Sequence, residues 1–333
     1  MSRIRWGILG PGGIASTFVA DLVGAREQGV DLDVTAVGSR TLATAQKFAD
    51  EFGIAHAHGS YEALVADDTV DAIYIATPHA FHRDQALLAI AAGKHVLIEK
   101  PITLNADEAR EVYAAAEQAG VIALEAMWTR FLPQNRELRR ILRSGAIGDL
   151  RLFTGTHAQK LPSDPDHRLN DPALGGGALL DLGVYPVAFA LDVLGAPTSV
   201  SASGVLSDRG VDRSSGVVLS HDGGATSLIY SALDVALVNS ARIDGTDGRI
   251  EIDDTFFAPS GFSVYTADGS LVTRYDADDD GLRGMQFQAF ELARLVDEGW
   301  SDDDALTPAA SIAVMETMDE VRRQLGVVYP GGR

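Results

Sequence analysis

Cysteine is absent from all 333 residues. That excludes disulfides, thiolate nucleophiles and cysteine-ligated zinc together. Basic residues are scarce: 27 Lys and Arg stand against 47 Asp and Glu, a formal charge of −20. A surface that negative repels nucleic acid and anionic membranes, so neither is expected as a partner. A phosphate-bearing ligand would need basic residues placed locally. Long apolar runs are missing too: none approaches the roughly 18 residues that span a bilayer. MSRIRWGILG enters a strand directly, without the layout of a signal peptide. Neither repeats nor low-complexity linkers interrupt the chain. What remains is a globular composition, 46% hydrophobic and 22% charged, with length for two domains. The expected location is the cytoplasm. The acidic runs DADDD (276–280) and SDDD (301–304) read as solvated loops.

Up to about residue 125, short β-rich runs alternate with amphipathic helical ones. The runs IRWGIL, LDVTAVG, DAIYIAT, HVLIE and VIALEA predict strands, and Asn105 with Glu108 three residues on marks a helix start. Such alternation implies a doubly wound parallel sheet. Beyond Asp149, strand-like segments such as RLFTGTHAQ, TSVSASGVL, SGVVLSH, ATSLIYSAL and RIEID follow one another. They predict a large, mostly antiparallel open sheet. The helical stretch 285–299 is expected to flank that sheet, and a last helix to pack back on the fold. The expected class is therefore α/β, with an N-terminal doubly wound domain at 1–125 and a C-terminal α+β domain at 126–333.

GILGPGGIA places Gly10, Gly12, Gly13 and Ile14 between a strand and a helix, in a G-x-G-x-x-A pattern. Glycines there permit a tight turn and close approach to a pyrophosphate, which the helix N-terminus then faces. Asp31 and Asp33, the acids near the usual ribose position, sit at the start of the second strand. Its carboxyl end instead carries Ser39 and Arg40. A hydroxyl beside a guanidinium suits a 2′-phosphate, so NADP is expected rather than NAD.

Three further strand ends carry chemistry: TPHAFH with Thr77, Pro78, His79 and His82; IEKP with Glu99 and Lys100; and EAMWTRF with Trp128 and Arg130. In isolation Glu99–Lys100 is an exposed charge pair. At the ligand-binding edge of such a sheet, Lys100 can hold a substrate oxygen and help move a proton. His79 with His82, and His56 with His58, lack a carboxylate at ligand spacing, so no metal is expected. GGGALLDLGVYP adds an oddity: Asp181 and Tyr185, four apart, share one face of an otherwise apolar helix. A satisfied core tyrosine and a local cap would explain them without function.

GILGPGGIA, the SR after the second strand, TPHAFH, AGKHVLIEKP, EAMWTRF and GGGALLDLGVYP, in that order, resemble the Gfo/Idh/MocA oxidoreductase family over essentially the whole chain. The branch resembled most is that of dimeric dihydrodiol dehydrogenases and NADP-dependent D-xylose dehydrogenases. The resemblance implies that Lys100 lies beside the nicotinamide and that Tyr185 is the acid/base, with Asp181 as the second-motif acid. It implies that Gly10, Gly12, Arg40, Thr77, Pro78, His82 and Glu99 contact cofactor, and that Trp128 and Arg130 lie at the cofactor and substrate end of the cleft. His79 departs from the asparagine of many members. His79, Trp128, Arg168, Asp181 and Tyr185 are the candidate substrate contacts. The implied activity is hydride exchange between nicotinamide and a carbinol carbon of a neutral sugar or cyclic trans-diol. The implied assembly is a homo-oligomer, dimer or tetramer, formed through the C-terminal sheet. Which of Lys100 and Tyr185 takes the proton stays open. The rival readings are a catalytically silent NADP-binding sensor and a reductase of another carbonyl or tetrapyrrole-like substrate.

Overall fold

The computed structural model describes residues 4–27, 33–277, 281–301 and 304–330. Asp31 and parts of both acidic runs (278–280 and 302–303) lie outside them. The chain divides into two compact units. One comprises Met1–Thr103, Asp107–Trp128 and Asp280–Pro308; the other Leu104–Ala106, Thr129–Asp279 and Ala309–Arg333.

The first unit is built on β1 (Arg5–Leu9), β2 (Asp33–Gly38), β3 (His56–His58), β4 (Ala72–Ile75), β5 (His95–Glu99) and β6 (Ala123–Ala126). They form one sheet in the order β3-β2-β1-β4-β5-β6, and every neighbouring pair is parallel. This is the doubly wound arrangement that alternating strands and helices predict. Strands covered on both faces read as unbroken apolar runs, as AIYI in β4 does, with all four residues buried. Helices α1 (Gly13–Glu27), α2 (Leu42–Phe52), α3 (Tyr61–Val65), α4 (His82–Ala91) and α5 (Ala106–Ala119) run between the strands, and Asn105 immediately precedes α5. Phe18 of α1 stacks on Tyr74 of β4 with ring centroids 3.9 Å apart, and Trp6 of β1 meets Phe18 edge-on at 5.5 Å.

The second unit carries α6 (Pro133–Arg143), a π-helical turn at Leu179–Gly183 that runs directly into α7 (Val184–Leu194), and eight strands. These are β7 (Leu150–Ala158), β8 (Pro197–Leu206), β9 (Asp212–His221), β10 (Thr226–Ala232), β11 (Ala241–Gly245), β12 (Gly248–Ile252), β13 (Phe262–Thr266) and β14 (Leu271–Tyr275). Their order is β14-β13-β12-β11-β7-β10-β9-β8, antiparallel except where β7 meets β10. One face packs under α7, where Phe153 stacks on Phe189 at 5.6 Å. On the other face Val218, Leu228 and Tyr230 are exposed. Contrary to the expectation that no apolar run approaches 18 residues, Pro172–Leu194 is long and apolar enough to cross a membrane by length and composition, but 83% of its 18-residue apolar window is buried inside the protein.

Helix α8 (Gln286–Glu298) corrects the expectation that it flanks the antiparallel sheet: it belongs to the first unit. Buried Asp21 of α1 explains its placement, because its carboxylate accepts the N–H groups of Arg283 (3.0 Å) and Met285 (2.8 Å) ahead of α8. An amphipathic pattern says that a helix has a buried face; it does not say which sheet buries it. Helix α9 (Pro308–Leu325) closes an edge of the second unit's sheet. The Gln324 amide donates to the Val200 carbonyl (2.8 Å) and accepts from the Ala202 N–H (2.7 Å), capping main-chain groups of β8.

Candidate active site

In the first unit the parallel sheet brings the carboxyl ends of β1, β2, β4, β5 and β6 to one edge. After β1, Gly10 has φ +90 and its N–H donates to the Gly38 carbonyl at 3.2 Å. A Cβ at Gly10 would lie 2.6 Å from the Thr77 methyl, so only glycine lets the ends of β1 and β4 close on each other. Gly12 and Gly13 differ: a Cβ on either meets nothing within 4 Å. The open space lies at the N-terminus of α1, whose first N–H groups have no intrahelical acceptors. An open, glycine-lined surface beside unpaired amide donors fits a dinucleotide pyrophosphate.

β2 runs from Asp33 to Gly38, so Asp33 lies at its far end, where it pairs with Arg26 at 3.5 Å. Ser39 and Arg40 follow the ligand-side end. The Ser39 N–H donates to the His58 carbonyl (3.1 Å), and Arg40 is exposed with no carboxylate partner among the described residues. Burial raises the pKa of Tyr61, while the nearby Arg40 guanidinium draws it down. A free guanidinium one residue before the Thr41 cap of α2 fits a 2′-phosphate.

Three expected cofactor contacts turn out to be engaged by the protein itself. His82 is fully buried, its ring nitrogens 2.9 Å from the carbonyls of Thr77 and Pro101. Burial lowers its pKa, the Lys100 ammonium adds to that, and the two carbonyls pull upward. His82 thus ties the turn after β4 to the turn after β5 and offers no surface to a ligand. Glu99 accepts the Tyr74 hydroxyl and the Lys100 N–H (3.2 Å). Arg130 belongs to the second unit and is buried against Asp192, which also takes Arg139 at 3.0 Å. Lys100 is half-buried and precedes a cis proline, Pro101, while Glu125 accepts the Ile102 N–H at 3.1 Å just beyond. Thr77 donates to Gln85, Ile14 is exposed, and His79 and Trp128 are buried.

In the second unit the stripe of Asp181 and Tyr185 starts on the π turn rather than on an α-helix, because Pro186 has no N–H to give the Leu182 carbonyl. His157 of β7 gives it instead, Nδ1 to oxygen at 3.1 Å, while its Nε2 accepts from the Gln159 amide at 2.8 Å. That fixes a neutral tautomer with the proton on Nδ1. Asp181 and Tyr185 are 7% and 8% exposed, so both are held close to the surface without being free in solvent. Arg168 approaches Asp181 Oδ1 with both terminal nitrogens, at 3.2 and 3.3 Å. The Tyr185 ring lies 5.2 Å from the His157 ring and 5.0 Å from that of Phe257, and His157 stacks on Phe257 at 4.0 Å. Sequence reasoning missed His157 and Phe257: a lone histidine in a strand and a phenylalanine in a loop carry no local signal.

Beneath this turn lies Asp212, also missed. It is fully buried and accepts the Leu179 N–H at 2.7 Å, and its other oxygen has no hydrogen-bond partner among the described residues. Burial pushes its pKa up to about 7, against the backbone donors and Arg322. The Tyr329 hydroxyl donates to the Gly176 carbonyl at 2.7 Å. Gly176 and Gly177 admit these neighbours: a Cβ on Gly176 would sit 2.5 Å from the Leu169 carbonyl oxygen, and one on Gly177 2.2 Å from Asp212.

Residues 4–126 match the family described as the oxidoreductase family with an NAD-binding Rossmann fold, and residues 135–251 match its C-terminal domain. The chain is 35% identical to a trans-1,2-dihydrobenzene-1,2-diol dehydrogenase of Danio rerio, covering 98% of both chains. It is 36% identical to an NADP(+)-dependent scyllo-inositol 2-dehydrogenase of Bacillus subtilis, again over 98% of each. A 3-ketoreductase of Actinomadura kijaniata, solved with NADP and TDP-benzene, superposes with TM-score 0.82 at 28% identity, over 97% of this chain and 98% of that one. By these matches the chain belongs to the Gfo/Idh/MocA family of oxidoreductases.

Proposed function

We propose that this member is an NADP(H)-dependent dehydrogenase of neutral, polyhydroxylated small molecules, cyclic trans-diols, inositols or aldoses. The reading rests above all on one observation: a buried acid and phenol share a stripe on an apolar helix whose start is widened to a π turn. Aspartate is seldom buried in a helix unless it is paired. The open glycine turn at Gly12 and Gly13 and the free Arg40 support NADP, and the names of the diol and inositol relatives support the substrate class. A bound nicotinamide would supply hydride chemistry, accepting hydride from a carbinol carbon in the oxidising direction and donating it to a carbonyl carbon in the reducing one. Tyr185, on the second unit, is the group that exchanges the hydroxyl proton, and Lys100, on the first, is a cationic donor at the ligand-side end of β5 suited to an oxygen of the substrate. Asp181, steadied by Arg168, orients a neighbouring hydroxyl. A substrate without phosphate agrees with the net charge of −20.

The test is a screen of NADP+ and NAD+ reduction over trans-dihydrodiols, inositols, pentoses and hexoses, with Tyr185→Phe alongside. Turnover with NADP+ is expected, and Tyr185→Phe is expected to lower kcat by about 10²–10⁴-fold without loss of fold. No turnover across the panel, or an unchanged variant, would overturn the reading. The exposed apolar residues Val218, Leu228 and Tyr230 support a second copy on that sheet face, and a monomer by sedimentation equilibrium would exclude it.

A further inference from the structure

The expectation that His56 and His58 lack a carboxylate fails in three dimensions. β3 is the edge strand of the parallel sheet, and its alternation puts both imidazoles on one face. Asp67, in the turn after α3, reaches both: Oδ2 lies 2.9 Å from Nδ1 of His56 and 2.8 Å from Nε2 of His58. Its other oxygen accepts the N–H (2.8 Å) and hydroxyl (2.6 Å) of Thr69, which fixes the carboxylate plane. The Lys94 ammonium holds the same turn through the carbonyls of Asp67 and Val70, at 2.9 and 2.8 Å. The three donor atoms lie within 4.8 Å of one another.

We propose that His56, His58 and Asp67 bind a divalent transition-metal ion, Zn²⁺ or a neighbour of it in the Irving–Williams series. Two imidazoles and one carboxylate are a borderline donor set, suited to Zn²⁺, Ni²⁺ or Cu²⁺ rather than to Ca²⁺ or Mg²⁺. Metal–ligand bonds of about 2.0–2.2 Å put tetrahedral donors about 3.3 Å apart. The present contacts need to open by only about half an ångström to reach that spacing. His56, with 44% of its side chain exposed, has room to turn, and its open side leaves a position for water. Asp67, 8% exposed, is the fixed ligand. In the metal-free state, two ring N–H groups converge on one carboxylate oxygen; when the ion takes their place, each proton moves to the other nitrogen of its ring (Nε2 of His56, Nδ1 of His58), and both imidazoles bind neutral.

The ion would tie the edge strand to the turn after α3. The His58 carbonyl receives the Ser39 N–H, so the clamp also braces the segment that carries Arg40. The role is structural, and it stands whether or not the proposed substrate is right.

Chelator-stripped protein titrated with Zn²⁺ alone, by calorimetry against a competing chelator, tests the site. One saturable equivalent per chain is expected, and Tm should rise by several degrees at about a hundredfold excess over Kd. The single variants His56→Gln and His58→Gln should each weaken binding about tenfold or more. The double variant should lose the Tm response while keeping the far-UV dichroism of the wild type. The exposed His56 decides the matter should His58→Gln fail to fold. Co²⁺ should give intense ligand-field bands in the wild type only. Absence of a one-equivalent site, or equal affinity in wild type and His56→Gln, would overturn the proposal.

Discussion

Two glycine-rich turns open helices in this chain, one in each unit, and they are glycine-rich for opposite reasons. At Gly12 and Gly13 a Cβ would meet nothing within 4 Å; at Gly176 and Gly177 it would collide with the protein's own atoms, at 2.5 and 2.2 Å. The first turn keeps a surface bare for something that comes from outside. The second lets Leu169, Asp212 and Tyr329 pack against the backbone that carries Asp181. The sequence signal is almost the same, whereas the chemistry served is ligand approach in one case and self-packing in the other.

Gly177→Ala should break the second turn outright. Its φ of +119 is closed to alanine, and the added methyl overlaps Asp212, so a loss of about 3 kcal/mol or more is expected. Chemical denaturation measures it, and a loss below about 1 kcal/mol would mean that the turn yields. Asp212→Asn is subtler. With a folded pKa raised to about 7, Asp212 keeps a proton that the unfolded chain releases near pH 4. Its contribution is therefore full below about pH 4 and is lost as pH rises through about 7, at up to about 1.4 kcal/mol per pH unit. Asparagine cannot titrate and still accepts the Leu179 N–H. Stability of the variant relative to wild type should rise from pH 5 to pH 8, and a constant difference in Tm would remove the buried proton from the account. Tyr329, its pKa raised mainly by burial, stays neutral over this range and does not confound the profile.

The first unit was legible because parallel strands buried on both faces leave unbroken apolar runs, and HVLIE coincides with β5 residue for residue. In the second unit β11, β13 and β14 went unread: LVTRY exposes four of its five residues, which leaves little apolar pattern to find. The candidate site residues were chosen by position, next to turn glycines or at strand ends. His82, Glu99 and Arg130 stood out in the same way, and position carries no information about the protein groups that each of them engages. Asp21, Asp67, Asp212 and His157 act on partners from about 10 to more than 260 residues away, as Asp21 does on Met285. Nothing in a local window reports such distances.

Gly12→Ala sharpens the comparison with the smallest effect on the fold. The position has no positive φ and no neighbour within 4 Å, so the free protein should keep its Tm and unfold with a ΔG changed by less than about 1 kcal/mol. The methyl would, however, fill the space in which the pyrophosphate is proposed to lie. NADPH affinity, read by fluorescence titration, should fall about tenfold or more, a loss of about 1.4 kcal/mol. If Gly12→Ala destabilised the free protein as Gly177→Ala does, the two turns would serve one purpose and the contrast would fail. If it left both stability and NADPH affinity untouched, the open surface at Gly12 would not be where the cofactor binds. A variant that is silent without cofactor and weak with it is the outcome that separates a surface kept for a ligand from one kept for the fold.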